Sequence, residues 1–182
     1  MKGILRNWHR YLLWAVVSCM LWAWIFTLVT DAPAGKKLVL YADLPAMERD
    51  ALAAELEKDL PAHIRFVEAW VFMDEMFNPS QIGSGDMFIL SESQVDQYLL
   101  TFSPLDEAAF PGCAFYRVEG TAYGVCVYDE AAGIRVGTKY LAYEPGQTYY
   151  LFFNAKSGHI VPWNDAGDDA ALRAARTLLT LE

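Results

Sequence analysis

The sequence predicts an α/β fold, in which an N-terminal transmembrane helix precedes one three-layer α/β domain with a mixed, mainly parallel sheet. Three observations carry that expectation. A charge-free apolar run extends from Tyr11 to Thr30. Beyond it, strand-like runs at Leu38–Ala42, Ile64–Val71 and Asp86–Leu90 alternate with helical repeats, the order that builds β-α units. Two aromatic and β-branched runs then meet at Glu119-Gly120, the pattern of a hairpin, which adds an antiparallel portion.

A helix over residues 11–30, rising about 1.5 Å per residue, spans the roughly 30 Å hydrocarbon layer. Trp8 and Tyr11 stand at its start, where amphipathic rings favour the headgroup level. Lys2, Arg6 and Arg10 precede it, so residues 1–10 are expected in the cytoplasm and the rest outside, although Lys36 and Lys37 follow closely. Two other readings stay open: Ala32-Pro33-Ala34 offers small residues for signal-peptide cleavage, and Val16-Val17-Ser18-Cys19 resembles a lipobox. The length of the run favours an uncleaved anchor, and a lipid-bearing Cys19 would leave Met20–Val29 as a greasy mature N-terminus. The chain is therefore expected at the cell membrane, single-pass, with a linker at 31–36 and an extracytoplasmic domain at 37–182.

The formal net charge is −9, and three of the basic residues lie before the membrane run, so the outer part is more acidic still. Such a surface excludes nucleic acid and anionic lipid as natural partners. Of three cysteines, one lies in the apolar run, leaving an even pair outside, as suits an oxidising compartment.

Leu38-Val-Leu-Tyr-Ala42 suits a central strand buried on both faces. Asp43 and Pro45 signal a helix start, and Leu52, Ala53, Leu56 and Leu60 repeat at helical spacing until Pro61. Ile64–Val71 is the second strand. An ambiguous piece, Met73–Phe77, precedes Asn78-Pro-Ser80, whose proline rules out a glycosylation sequon. Ile82-Gly-Ser-Gly85 turns into the third strand, and Ser91 with Gln94 forms a capping-box pattern for a helix burying Val95, Tyr98 and Leu99. In the hairpin, a Glu119-Gly120 loop sets Val118 against Thr121 and Arg117 against Ala122. Counting outward sets Cys113 against Cys126 at a separation a disulfide can bridge. A bulge would shift that register by one and leave two buried thiols. Mixed strand signals at Ile134–Tyr143, a turn at Glu144–Gln147 and a dense strand at Thr148–Phe153 follow. Asp168 or Asp169 caps a closing helix whose face carries Leu172, Ala175 and Leu179, with Ala171 and Leu178 beside them.

No catalytic constellation emerges. His63 and His159 are far apart in sequence, so no metal and no cofactor is expected. Ser84 or Ser157 with His159 and Asp165 would compose a hydrolytic set, but no Gly-x-Ser-x-Gly elbow is present. Gly83-Ser-Gly85 precedes a strand instead of opening a helix, and the pairs Asp74-Glu75 and Asp168-Asp169 fit solvated helix starts. Ligands of open α/β sheets settle beyond the carboxyl ends of parallel strands. That edge would carry Tyr41, Asp43, Ser91 and Ser93, with Tyr123 near. Rings, hydroxyls and a carboxylate suit a sugar, a polyol or a cationic group, while the same residues also serve as caps and core.

Several stretches together resemble a known family. Leu38-Val-Leu-Tyr before an acidic helix, Asp86-Met-Phe-Ile-Leu before a Ser-rich helix start, Ser103-Pro-Leu-Asp106, Glu119-Gly-Thr-Ala-Tyr-Gly-Val125 and the closing Asp168-Asp-Ala-Ala-Leu172 helix are similar to stretches of the extracellular solute-binding proteins of ABC transporters, of the type 2 periplasmic-binding-protein fold. The resemblance covers most of residues 37–182. There is material for little more than one lobe; Cys126 stands where the family's hinge has proline, and a membrane helix takes the place of its lipobox. The resemblance implies a reduced, non-catalytic, membrane-anchored domain that binds a small-molecule solute or an envelope protein. It also makes Tyr123-Gly-Val125 a hinge strand, which a disulfide would turn into a rigid support. A cell-surface serine hydrolase and a structural envelope-complex subunit are the alternatives.

Overall fold

Residues 8–30, 33–72, 82–160 and 168–181 are described in the computed structural model of the chain. Met73–Phe77, Asn78–Ser80 and Asp165 fall outside them. The chain divides into two units, Met1–Pro33 and Ala34–Glu182.

In the first unit, the helix begins at Trp8, ahead of the charge-free run and taking in Arg10, and forms α1 (Trp8–Thr30). Its 23 residues give a length of about 34 Å. With Trp14, Trp22 and Phe26 all exposed, it is long and apolar enough to cross a membrane, a character that signal sequences near an N-terminus share.

The second unit runs β1 (Lys37–Ala42), β2 (Ala46–Met47), α2 (Arg49–Glu57), β3 (Phe66–Val71), β4 (Met87–Ser91), α3 (Glu92–Tyr98), β5 (Phe115–Val118), β6 (Thr121–Asp129), β7 (Ile134–Arg135), β8 (Leu141–Ala142), β9 (Tyr149–Phe153) and α4 (Ala170–Leu179). The main sheet has the order β3-β1-β4-β9-β6-β5, with β7 added to β6. β1 lies one strand in from the edge and is parallel to both β3 and β4. Every other pairing described in this sheet is antiparallel. The sheet is therefore mixed but not mainly parallel. The reason is β9: it lies between β4 and β6 and runs antiparallel to both, which leaves only the two β1 pairings parallel.

Alternation along the strands divides the core. Leu38, Leu40 and Ala42 of β1, Val67 and Ala69 of β3, Met87 and Ile89 of β4 and Leu151 and Phe153 of β9 cluster with Leu52 and Leu56 of α2 and with Ala171, Ala174, Ala175 and Leu178 of α4. Tyr41, Phe88, Leu90 and Phe152, pointing the other way, cluster with Val95 and Tyr98 of α3 and with Phe72 and Phe102. Fully burying one of these leucines contributes roughly 2 kcal/mol. The closing helix turns a small-residue face inward, with Leu172 and Leu179 only half-buried, so alanines and not the leucine stripe make its closest approach.

Two elements begin or pair differently from expectation. α2 starts at Arg49, not just after Pro45, because Ala46 and Met47 are taken into antiparallel pairing with Ala142 and Leu141. In the hairpin, Glu119 and Gly120 both have positive φ, 52° and 86°, the combination two-residue hairpin loops favour. Val118 pairs Thr121 and Arg117 pairs Ala122 as counted, but Tyr116 then pairs Gly124 and Phe115 pairs Val125. Tyr123 is the extra residue of a β-bulge. The Cys126 N–H consequently donates to the Ala114 carbonyl at 2.8 Å, and Cys113 falls out of register with Cys126. The expected Cys113–Cys126 disulfide is absent; both are free thiols. Burial pushes the Cys126 thiol up to about 11 and raises Cys113 as well.

Candidate functional site

At the carboxyl end of β1 the ladder continues one step, the Asp43 N–H donating to the Ile89 carbonyl at 2.7 Å. That step carries the half-buried Asp43 carboxylate alongside Ser91, which ends β4 and precedes α3. The Ser91 hydroxyl donates to Asp43 Oδ2 at 2.9 Å and lies 3.1 Å from the Ser93 hydroxyl. Ser91 thus occupies the N-cap position without capping, since its oxygen is engaged with the carboxylate instead of with the helix N–H groups that the capping-box pattern predicts. The Glu92 N–H donates to the Thr148 carbonyl, tying the helix start to the approach to β9.

The surroundings of this trio are acidic and phenolic. The Tyr149 hydroxyl accepts from the Glu144 N–H at 3.4 Å. Burial raises its pKa, and the fields of Glu144 and Asp43 add to the rise against that hydrogen bond. Tyr150 is pushed up to about 12, by burial first and then by Glu92, Cys126 and Asp129. Burial, with the negative charge of this edge adding to it, raises the pKa of the phenols, and that charge would attract a cationic molecule or accept from a hydroxyl-rich one.

Of the five residues expected at this edge, the structure joins Asp43, Ser91 and Ser93. Tyr41 is buried and stacked on Phe88, with ring centroids 5.5 Å apart. Tyr123 packs half-buried against the Tyr41–Phe152 cluster at the bulge. Both serve the core.

A second polar cluster lies at the other end of β4. Buried Asp86 accepts from the Ser157 hydroxyl at 2.6 Å and from the Val39 N–H at 2.8 Å. Burial raises its pKa, and those two hydrogen bonds oppose the rise. The His159 N–H donates to the Ser157 oxygen at 3.0 Å, and the ring of His159 turns to Asp168, with Nδ1 2.8 Å from Oδ2. The same carboxylate oxygen is 2.7 Å from His63 Nε2, while Oδ1 accepts from the Ala170 N–H at 2.8 Å and so opens α4. For His159, burial works against protonation, but the Asp168 hydrogen bond and the field of Asp86 outweigh it and raise the pKa. For Asp168, burial acts upward and the two histidines pull the carboxyl below its usual range.

This geometry bears directly on the hydrolytic set. Ser157 spends its proton on Asp86, and His159 meets Ser157 only through its backbone N–H. Its ring nitrogens face Asp168 and, at 3.3 Å, the Ala34 carbonyl. Among the described residues, no histidine nitrogen is placed to take the Ser157 proton, which nucleophilic catalysis requires. His63 and His159, far apart in sequence, meet in space at Asp168. The sequence carried one signal for this, an aspartate at a helix start, whose carboxylate has two oxygens that accept. Protein-family models, curated proteins and solved structures offer no match to this chain.

Proposed function

We propose that the chain is a single-pass, membrane-anchored extracytoplasmic domain that binds a small polar solute, non-catalytically, where Asp43, Ser91 and Ser93 meet. The observation that supports it most is the joining of that carboxylate and two hydroxyls at the carboxyl ends of parallel β1 and β4, the place where open α/β sheets hold ligands. The sequence resemblance to solute-binding proteins agrees with this reading and suggests a three-layer, single-lobe version of their fold. One lobe gives an open half-site, so the affinity is modest and a cationic or polyhydroxylated solute suits the acidic edge. The N-terminal helix supports attachment, with the domain outside by the charge flanks of the sequence. The engagement of Ser157 with Asp86 supports a non-catalytic reading.

The test is a thermal-shift panel on the full chain in detergent, covering polyols, sugars, amino acids and organic amines. A hit should be lost in the Asp43→Asn variant and weakened in Ser93→Ala. A panel without a single shift, or a hit indifferent to Asp43→Asn, removes the proposal's support.

A further inference from the structure

The geometry points to a divalent transition-metal site formed by His63, His159 and Asp168, with zinc the ion that its donors suit best. One ligand atom from each residue lies within 4.8 Å of the other two. The carboxylate oxygen of Asp168 stands 2.7 Å from His63 Nε2 and 2.8 Å from His159 Nδ1. Zinc bonds of about 2.0–2.1 Å place tetrahedral neighbours about 3.3 Å apart. Closing around an ion therefore asks each nitrogen to part from Asp168 Oδ2 by about half an ångström, and the two nitrogens, within 4.8 Å of each other, to draw together by up to about 1.5 Å.

The ring orientation of His159 supplies an independent argument. Its Nε2 stands 3.3 Å from the Ala34 carbonyl and its Nδ1 2.8 Å from the Asp168 carboxylate; both neighbours only accept, and a neutral imidazole has one proton for the two. With the proton on Nδ1, an entering ion displaces it; with the proton on Nε2, Nδ1 turns a lone pair on Asp168 Oδ2, an arrangement that calls for a positive centre between the two atoms. A bound cation supplies one. A second ring proton is the competing solution. An imidazole whose far nitrogen is held by a backbone carbonyl is also how protein zinc ligands are commonly oriented, and the Ala170 N–H on Oδ1 steadies the carboxylate in the same way.

The donor set selects among ions. Two imidazoles and one carboxylate oxygen suit zinc and its neighbours, whereas calcium and magnesium demand mostly oxygen. The side chains of His159 and Asp168 are 6% and 10% exposed and that of His63 is 50% exposed, so an ion would enter past His63 and keep a position open to water on that side. Bound there, it would clasp the turn before β3 to the turn after β9 and the start of α4. This site is separate from the solute site proposed above, because Asp86 and Ser91 sit at opposite ends of β4, about 16 Å apart along the strand.

The experiment uses the full chain in detergent, stripped with chelator and titrated with Zn²⁺ by calorimetry, with Co²⁺ absorption as a second readout. The expected result is one Zn²⁺ per chain, a raised melting temperature, a Co²⁺ spectrum of tetrahedral type, and no comparable response to Mg²⁺ or Ca²⁺. His63→Gln should weaken binding at least about tenfold. Because His63 is exposed, that variant should melt with the parent when chelator is present, and Asp168→Asn provides a second ligand removal. Equal responses to Mg²⁺, which would mark general acidic attraction, overturn the proposal. So does Zn²⁺ binding unchanged in His63→Gln, or a doubly protonated His159 ring by NMR that persists at saturating Zn²⁺.

Discussion

Ser91 shows how one hydroxyl can be claimed by two partners. It stands where a helix cap is wanted and gives its proton to Asp43 instead. Ser91→Ala should therefore cost about 1 kcal/mol through the lost carboxylate contact, and exposed Ser93→Ala under about 0.5, compared by denaturant midpoint. Ser103 is the opposite case: its hydroxyl is buried without a hydrogen-bond partner among the described residues. Ser103→Ala should be neutral or stabilising by up to about 1 kcal/mol in the same measurement, and a clear loss would reveal a partner for that oxygen. The thiols give a third outcome. A Cys126 pKa of about 11 leaves about one thiolate in a thousand at pH 8. Ellman's reagent should label Cys126 slowly in the native chain and rapidly in denaturant. At this scale the sequence was informative where a residue ends an element: Asp43 and Ser91 were found from strand ends alone. The His63–Asp168 contact was not, because 105 positions separate its partners and Asp168 already had a local task as a helix-start carboxylate.

Among the elements, the hairpin carries the clearest lesson. Loop length and the first two residue pairs were legible, since a glycine-bearing turn sits between β-rich runs. The inserted Tyr123 was not, because a bulge is decided by what the strand packs against. Gly124 lies so close to the Phe152 ring that an added Cβ would come within 2.6 Å of it. Gly124→Ala should accordingly lower stability by about 1–3 kcal/mol, read as a shifted unfolding midpoint with an unchanged slope. The late start of α2 has a similar cause: the two-residue pairing of β2 with β8 joins positions almost a hundred residues apart, a contact no local pattern announces.

For the whole molecule, the apolar helix and the acidic second unit dominate behaviour in a cell. If α1 anchors the chain, alkaline extraction should leave the full-length protein in the membrane fraction. Recovery of a soluble form beginning near Ala34 would identify α1 as a signal sequence. Fold class was legible because alternating strand and helix patterns are local. Strand order was not, since β9 enters the sheet between β4 and β6 from far along the sequence. That insertion bears on how the chain is made. Until residue 153 has left the ribosome or translocation channel, β4 has an unpaired edge and the two halves of the sheet have no common strand. Completion of the sheet thus waits for β9, so nascent chains arrested short of Tyr149 should be protease-sensitive throughout the second unit, with protection arriving in one step once β9 emerges.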